Sequence, residues 1–186
     1  MNDSFDELQE TADSAIPLNS TSLGEKILEL ATALVHEAAA ANLTLSSAES
    51  CTGGLVSGAV TAIPGSSAPW RGSVVSYAIP VKHSVLGVSN DILDAPGIGA
   101  VSSECAAAMC EGAKKVLGSD IAVSITGIAG PGGAEPGKPV GTVWFGITSG
   151  EGTHTEMHMF TGDRRSVREQ AVACALGLML SRVRAK

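Results

Sequence analysis

From Leu23 the apolar residues Ile27, Leu28, Leu30, Ala31, Leu34, Val35 and Ala38 recur at helical spacing, with Glu25, Lys26, Glu29 and Glu37 between them. That period predicts an amphipathic helix, with Ser22 as a plausible cap. "LTLSSA" then reads as a short strand, followed by the small-residue helix "GGLVSGAVTAI", which stops before Pro64-Gly65. "GSVVSYAI" is a second strand. Pro80 suits the first position of a short helix, "PVKHSVLG", ended by Gly87. "GAVSSECAAAMCEGAKKVLG" reads as a serine-capped helix that stops at Gly118. "DIAVSITGIAG" is a buried strand opening into a glycine-rich loop over 127 to 138, and "GTVWFGIT" and "HTEMHMF" are two further strands. The last helix runs from about Arg164 to Arg182, with Val167, Ala171, Val172, Ala175, Leu178 and Met179 inward. Strands and helices alternate, so the expected fold class is α/β: a single domain with helices on both faces of one sheet. The last two strands look like a hairpin, which makes the sheet mixed.

Length and composition refine this picture. A chain of 186 residues is the size of one domain with a substantial core. Aromatic residues are only 3%, so that core is built from Ala, Val, Ile and Leu. Residues 1–21 are polar and acidic, with Asp3, Asp6, Glu7, Glu10 and Asp13 and no basic residue, as in a flexible tail; residues 22–186 form the domain. The net charge of −7 argues against a general nucleic-acid binder, which needs a basic face. No apolar run approaches the ~18 residues of a membrane span, and no segment has a signal-peptide layout, so no membrane partner and a cytoplasmic location are expected. Cys51, Cys105, Cys110 and Cys174 include no CxxC pair and read as buried free thiols.

Candidate chemistry begins at "SSAESCTGGL", residues 46–55. Ser50 between a strand and a helix has two readings. It is a favoured helix cap, or it is a nucleophile beside the free backbone N–H groups of Cys51, Thr52, Gly53 and Gly54, which would hold an oxyanion. Cys51 is the rival nucleophile, a thiol being intrinsically the better one. A nucleophilic serine needs a base, and the histidines do not select one. His36 lies on a polar helix face, and His83 lies beside Lys82 with nothing to single it out. His154 and His158 share a strand face about 13 Å apart, too far for one metal and better read as a solvated face. Lys82 falls in the first turn of a helix, where the dipole disfavours a cation and lowers an amine's pKa. Tyr77, five residues earlier, could relay a proton. Arg164, Arg165 and Arg168 crowd the wrong end of the last helix for cations, which suggests an anionic ligand, with Asp163 as a local cap. "TGIAGPGG", starting at Thr126 and Gly127, offers further backbone donors but is neither a P-loop nor a dinucleotide fingerprint.

"AESCTGGL", "GSSAPWRGSVVSYAIPVKHSVLGV", "GAVS", "VSITGIAGPGG", "KPVGTVWFG" and "GDRRSVREQA", in this order over residues 24 to 182, resemble the CinA C-terminal domain family. That family includes stand-alone nicotinamide-nucleotide amidohydrolases. The resemblance implies a three-layer α/β/α sandwich, a homodimer or higher homo-oligomer, and hydrolysis of the carboxamide of nicotinamide mononucleotide to nicotinate mononucleotide and ammonia. It implies no metal and no organic cofactor. The implied catalytic pair falls on Ser50 and Lys82, with the tyrosine at Tyr77. The implied arginine falls on Arg164 or Arg168 without a choice between them. Pro80 and Val81 depart from the more polar residues often found there, which could shift Lys82. The loop "GPGGAEPGKP" is variable in the family, so its substrate contacts are open. Longer family members carry an N-terminal molybdopterin-binding-like domain, for which this chain has no room, so the stand-alone enzyme is expected. The alternative is a non-catalytic binding or regulatory module linked to competence or DNA damage.

Overall fold

The computed structural model describes residues 21–186. The elements are α1 Thr21–Ala40, β1 Leu45–Glu49, α2 Leu55–Thr61, β2 Trp70–Val75, α3 Ile79–Leu86, α4 Asn90–Leu93, α5 Ser103–Leu117, β3 Ile121–Gly127, β4 Thr142–Ser149, β5 Gly152–Met159 and α6 Arg164–Arg184. The acidic-tail expectation lies outside the described residues, except that Thr21 already belongs to α1. The periodicity finds every element but α4, which has only four residues. The first helix begins at Thr21, ahead of the expected cap Ser22, whereas the expected stops and caps of the last two long helices hold. Ser102 accepts the Cys105 N–H at the start of α5, and Gly118 ends that helix in the left-handed conformation. Asp163 caps α6 through the Ser166 N–H.

One five-stranded sheet has the order β2-β1-β3-β4-β5. β1 runs parallel to β2 and β3, while β4 and β5 fold back antiparallel as a hairpin. The mixed sheet follows from the connections: helices link β1 to β2 and β2 to β3, whereas β3, β4 and β5 are joined by non-helical segments.

Strand alternation divides the core into two layers. Ile121, Val123 and Ile125 of β3 join Leu45, Val143, Phe145 and Ile147 in a core with α1, α2 and α6, where Leu34, Val56, Leu176 and Met179 are buried. Each large apolar side chain buried there contributes about 1.5–3 kcal/mol. Ala48 and Ala122 face the other way, onto α3, α4 and α5. Small residues let this second layer lie close. A Cβ on Gly146 would collide with the Ala106 carbonyl of α5, and one on Gly112 with the Leu86 carbonyl of α3. The fold class is therefore α/β, with helices on both faces of a mixed sheet in one domain. Among the described residues no helix is long and apolar enough to cross a membrane.

This order places β1 at a switch point. The chain leaving β1 passes through α2 on one face and reaches β2; the chain leaving β2 crosses through α3 to α5 on the other face and reaches β3. Open α/β sheets bind ligands in the crevice beyond the carboxyl ends of strands at such a point. Ser50 is the first residue past β1.

Candidate active site

The carboxyl end of β1 is pinned on both sides. The Ser50 N–H donates to the Ile125 carbonyl at 2.9 Å, and the Ser76 N–H to the Glu49 carbonyl at 2.8 Å. Alternation then sends Glu49 toward α2 and Ser50 toward α3. On the α3 side Lys82 is only 1% exposed. Its Nζ lies 2.9 Å from Ser50 Oγ, 2.6 Å from the Ser76 carbonyl and 3.5 Å from the Tyr77 carbonyl. The Pro80–Val81 departure leaves Lys82 within reach of Ser50, because Pro80 sits in the first turn of α3.

Burial holds the Lys82 amine below the ordinary lysine range; the Cys105 and Cys51 sulfurs act the other way, more weakly. Among the described residues no carboxylate pairs with it. The start of α3 also disfavours a cation there. In its neutral form the amine can donate to the Ser76 and Tyr77 carbonyls and accept from the Ser50 hydroxyl; in its protonated form it donates to all three. The neutral form would place a proton acceptor directly against the Ser50 hydroxyl, as general-base activation of a nucleophile requires.

Residues 51–54 correct one expectation. They form a turn, with α2 starting only at Leu55, so Ser50 is not its cap; the cap position is Gly54, whose φ of 97° suits glycine. The capping is done by Glu49. Its carboxylate accepts from the N–H groups of Gly54 (2.9 Å), Val56 (3.1 Å) and Ser57 (2.9 Å), and from the hydroxyls of Ser73 (3.2 Å) and Ser47 (3.4 Å). Gly53 N–H is also committed, to the Ser50 carbonyl at 3.1 Å. Of the four expected oxyanion donors, only Cys51 and Thr52 keep an N–H without an acceptor among the described residues.

Arg168 decides where one of those donors points. Its Nε donates to the Cys51 carbonyl at 3.0 Å and its Nη2 to the Thr52 carbonyl at 2.9 Å. A trans peptide places its N–H opposite its carbonyl. Holding the Cys51 carbonyl therefore aims the Thr52 N–H the other way, and the Ser50 carbonyl, held by Gly53, aims the Cys51 N–H. Arg168 thus braces the turn through both of these carbonyls. Arg165 pairs with Glu169 at 2.7 Å on its own helix. Arg164, exposed like Arg165, lies at the rim, bound to the Gly130 carbonyl at 2.9 Å and the Tyr77 hydroxyl at 3.1 Å.

Other expected residues fall differently. Tyr77 is 60% exposed, and its hydroxyl meets Arg164, not Lys82; only its carbonyl approaches the amine. Thr126 donates to the Ala100 carbonyl, tying β3 to the 95–101 segment. Gly127 serves packing: a Cβ there would lie 2.6 Å from the Thr142 carbonyl. Cys51 is buried in the α1–α2–α6 core, and burial pushes its thiol up to about 11, which removes its advantage over Ser50. His83 is exposed and bonds the Val88 carbonyl at 2.8 Å.

A sequence model described as the CinA C-terminal domain matches residues 27–183. The chain belongs to the CinA C-terminal domain family. It is 46% identical over 141 residues to a CinA-like protein of Geobacter metallireducens, covering 76% of this chain and 34% of that protein. It is 37% identical over 178 residues to a CinA-like protein of Fervidobacterium nodosum, covering 93% of this chain and 43% of that one. The chain thus spans less than half the length of these curated relatives. Among solved structures, a competence-damaged protein (CinA) superfamily protein from Klebsiella pneumoniae superposes with a TM-score of 0.81 at 35% identity, covering 86% of this chain and 99% of that chain. A competence/damage inducible protein from Agrobacterium tumefaciens gives 0.80 at 37% identity, with 84% and 94% covered.

Within this CinA-family chain, sequence reasoning missed the role of Glu49. The signal was present: Leu45, Ser47 and Glu49 share a strand face, so an acid there had to be buried and had to find donors. It also missed Ser76. Its carbonyl holds Lys82, while its own hydroxyl and that of Thr52 are buried without a partner among the described residues.

Proposed function

We propose that this chain is a metal-independent amidase that hydrolyses the carboxamide of nicotinamide mononucleotide to nicotinate mononucleotide and ammonia. The observation that carries the reading is the 2.9 Å contact between Ser50 Oγ and a buried Lys82 amine that has no carboxylate partner. Lys82 takes the hydroxyl proton as Ser50 Oγ bonds to the amide carbon. The N–H groups of Cys51 and Thr52 stabilise the oxyanion, each worth about 3 kcal/mol in the barrier if typical. Lys82 returns the proton to the departing nitrogen, the C–N bond breaks and ammonia leaves. Water, deprotonated by the same amine, then hydrolyses the acyl ester and frees the acid.

Family membership supports the substrate, and Arg164 at the rim supports a phosphate-bearing one, since guanidinium binds phosphate bidentately. The active form is a homodimer or higher homo-oligomer. The test is ammonia release from nicotinamide mononucleotide, with free nicotinamide and simple amides alongside. The mononucleotide should be turned over, free nicotinamide poorly, and Ser50→Ala should lose at least about 10³-fold in kcat. Ligand binding without ammonia release would sink the reading and favour a binding module.

A further inference from the structure

β5 is an edge strand, and away from the Ser50 crevice it brings three metal-ligating groups together. Glu156 and His158, two residues apart, share the strand face that looks toward α6, where they meet Cys174. His158 Nε2 lies 2.7 Å from Glu156 Oε1 and 3.7 Å from Cys174 Sγ, and Cys174 Sγ lies 4.0 Å from Glu156 Oε1. The strand-face reading paired His158 with His154, which is too distant. The partner that matters is a helix residue sixteen positions on, which a strand period cannot reveal.

The imidazole is already oriented. It stacks on Phe160 with ring centres 5.6 Å apart and meets Phe145 edge-on at 5.5 Å. His158 and Cys174 line a cleft of about 580 Å³ together with Phe160, Lys26, Leu30 and Gln170. A tetrahedral zinc ion with bonds of about 2.3 Å to sulfur and about 2.0–2.1 Å to nitrogen and oxygen separates its ligand atoms by about 3.3–3.6 Å. Both sulfur distances are within a few tenths of an ångström of that range. The Glu156–His158 contact must open by about 0.6 Å to reach it, a small side-chain rotation.

We infer that Glu156, His158 and Cys174 form a binding site for a thiophilic divalent cation of the zinc type, with its fourth position open to the adjoining cleft. One thiolate, one imidazole and one carboxylate select zinc-like ions over magnesium or calcium, which prefer oxygen alone. As the sulfur–metal bond forms, the Cys174 thiol proton passes to solvent; no electron is transferred. The two anionic ligands neutralise the ion, which ties β5 to the middle of α6, remote from the Ser50–Lys82 pair. The inference is independent of the amidase reading.

Cobalt(II) titration of the reduced full-length protein tests it. A near-ultraviolet thiolate-to-cobalt band should saturate at one equivalent and disappear when zinc displaces the cobalt. Cys174→Ala should abolish the band although Cys51, Cys105 and Cys110 remain, and Glu156→Gln or His158→Ala should weaken binding at least about tenfold. Folding of each variant is checked by circular dichroism, and Glu156→Gln, nearly isosteric, serves if Cys174→Ala misfolds. No band in the wild-type protein, a band that survives in Cys174→Ala, or undiminished affinity in folded Glu156→Gln would overturn the proposal.

Discussion

The two faces of β1 bury opposite kinds of ionisable group within one residue of the strand's end, and they treat them differently. Toward α2, five donors converge on Glu49, three of them backbone N–H groups. Toward α3, Lys82 is just as deeply buried but receives only a hydroxyl and two neutral carbonyls. A buried acid with five donors is a structural fastener: it replaces the missing cap of α2 and fixes the turn. A buried amine with no counter-charge is unfavourable for folding when protonated, which makes it a candidate for chemistry and not for stability. Depth of burial does not separate structure from function here; the partners do.

Lys82→Arg breaks the comparison most severely. Guanidinium stays charged at any working pH and has no lone pair to take a proton. Ammonia release should fall at least about 10³-fold while the fold is retained, a loss read from kcat by single-turnover kinetics. Near-normal activity would mean that Lys82 is an electrostatic prop and some other group is the base.

Glu49→Ala attacks the opposite face. It strands the N–H groups of Gly54, Val56 and Ser57, and a lost cap together with buried unsatisfied donors should cost about 3 kcal/mol. In a chain of this size that lowers Tm by about 6–12 °C in a thermal melt. Activity should fall as well, because the turn that carries Cys51 and Thr52 loosens. A melt within about 2 °C of wild type would show that the turn does not depend on the carboxylate.

The two arginines of α6 sharpen the contrast by their kinetics. Arg168 touches only carbonyls of the turn, so Arg168→Ala should lower kcat by about 10²-fold, the scale of one misplaced oxyanion donor, with KM little changed. Arg164 sits at the rim, so Arg164→Ala should raise KM about tenfold with kcat little changed. The same pattern in both variants would remove the distinction between a positioning arginine and a binding one.

Those roles mark how far the sequence could be read. Apolar periods and capping residues located every element but α4, because each is a local property of a short window. Helix position alone made Lys82 a candidate base for Ser50, but with 32 residues between them it was the resemblance that paired the two. The direction of the Tyr77 phenol was hidden for a local reason. Strand-like alternation past Val75 turns Ser76 inward and Tyr77 outward, so the tyrosine offers its carbonyl to the amine and its phenol to the rim. The grip of Arg168 on the turn was hidden for a long-range reason: its carbonyl partners lie 117 and 116 residues away, and no spacing rule links them.

The subtlest difference between the two faces is in stability against pH. Unfolding returns Lys82 to the ordinary lysine value near 10.5, whereas burial holds the folded amine lower. Between those two values the unfolded chain binds a proton that the folded chain does not. Stability contributed at this site is therefore greatest above 10.5, falls as pH drops through the window, and levels off below the folded value. Lys82→Met removes the titrating group and this slope with it. Urea midpoints of the two proteins, taken from about pH 10.5 down to neutrality, should diverge, the wild type losing at most about 1.4 kcal/mol per pH unit relative to the variant. Parallel profiles would mean that Lys82 titrates in the folded protein as it does in the unfolded one. The amine would then be a cation at neutral pH, and the contrast with Glu49 would reduce to two ways of burying a charge.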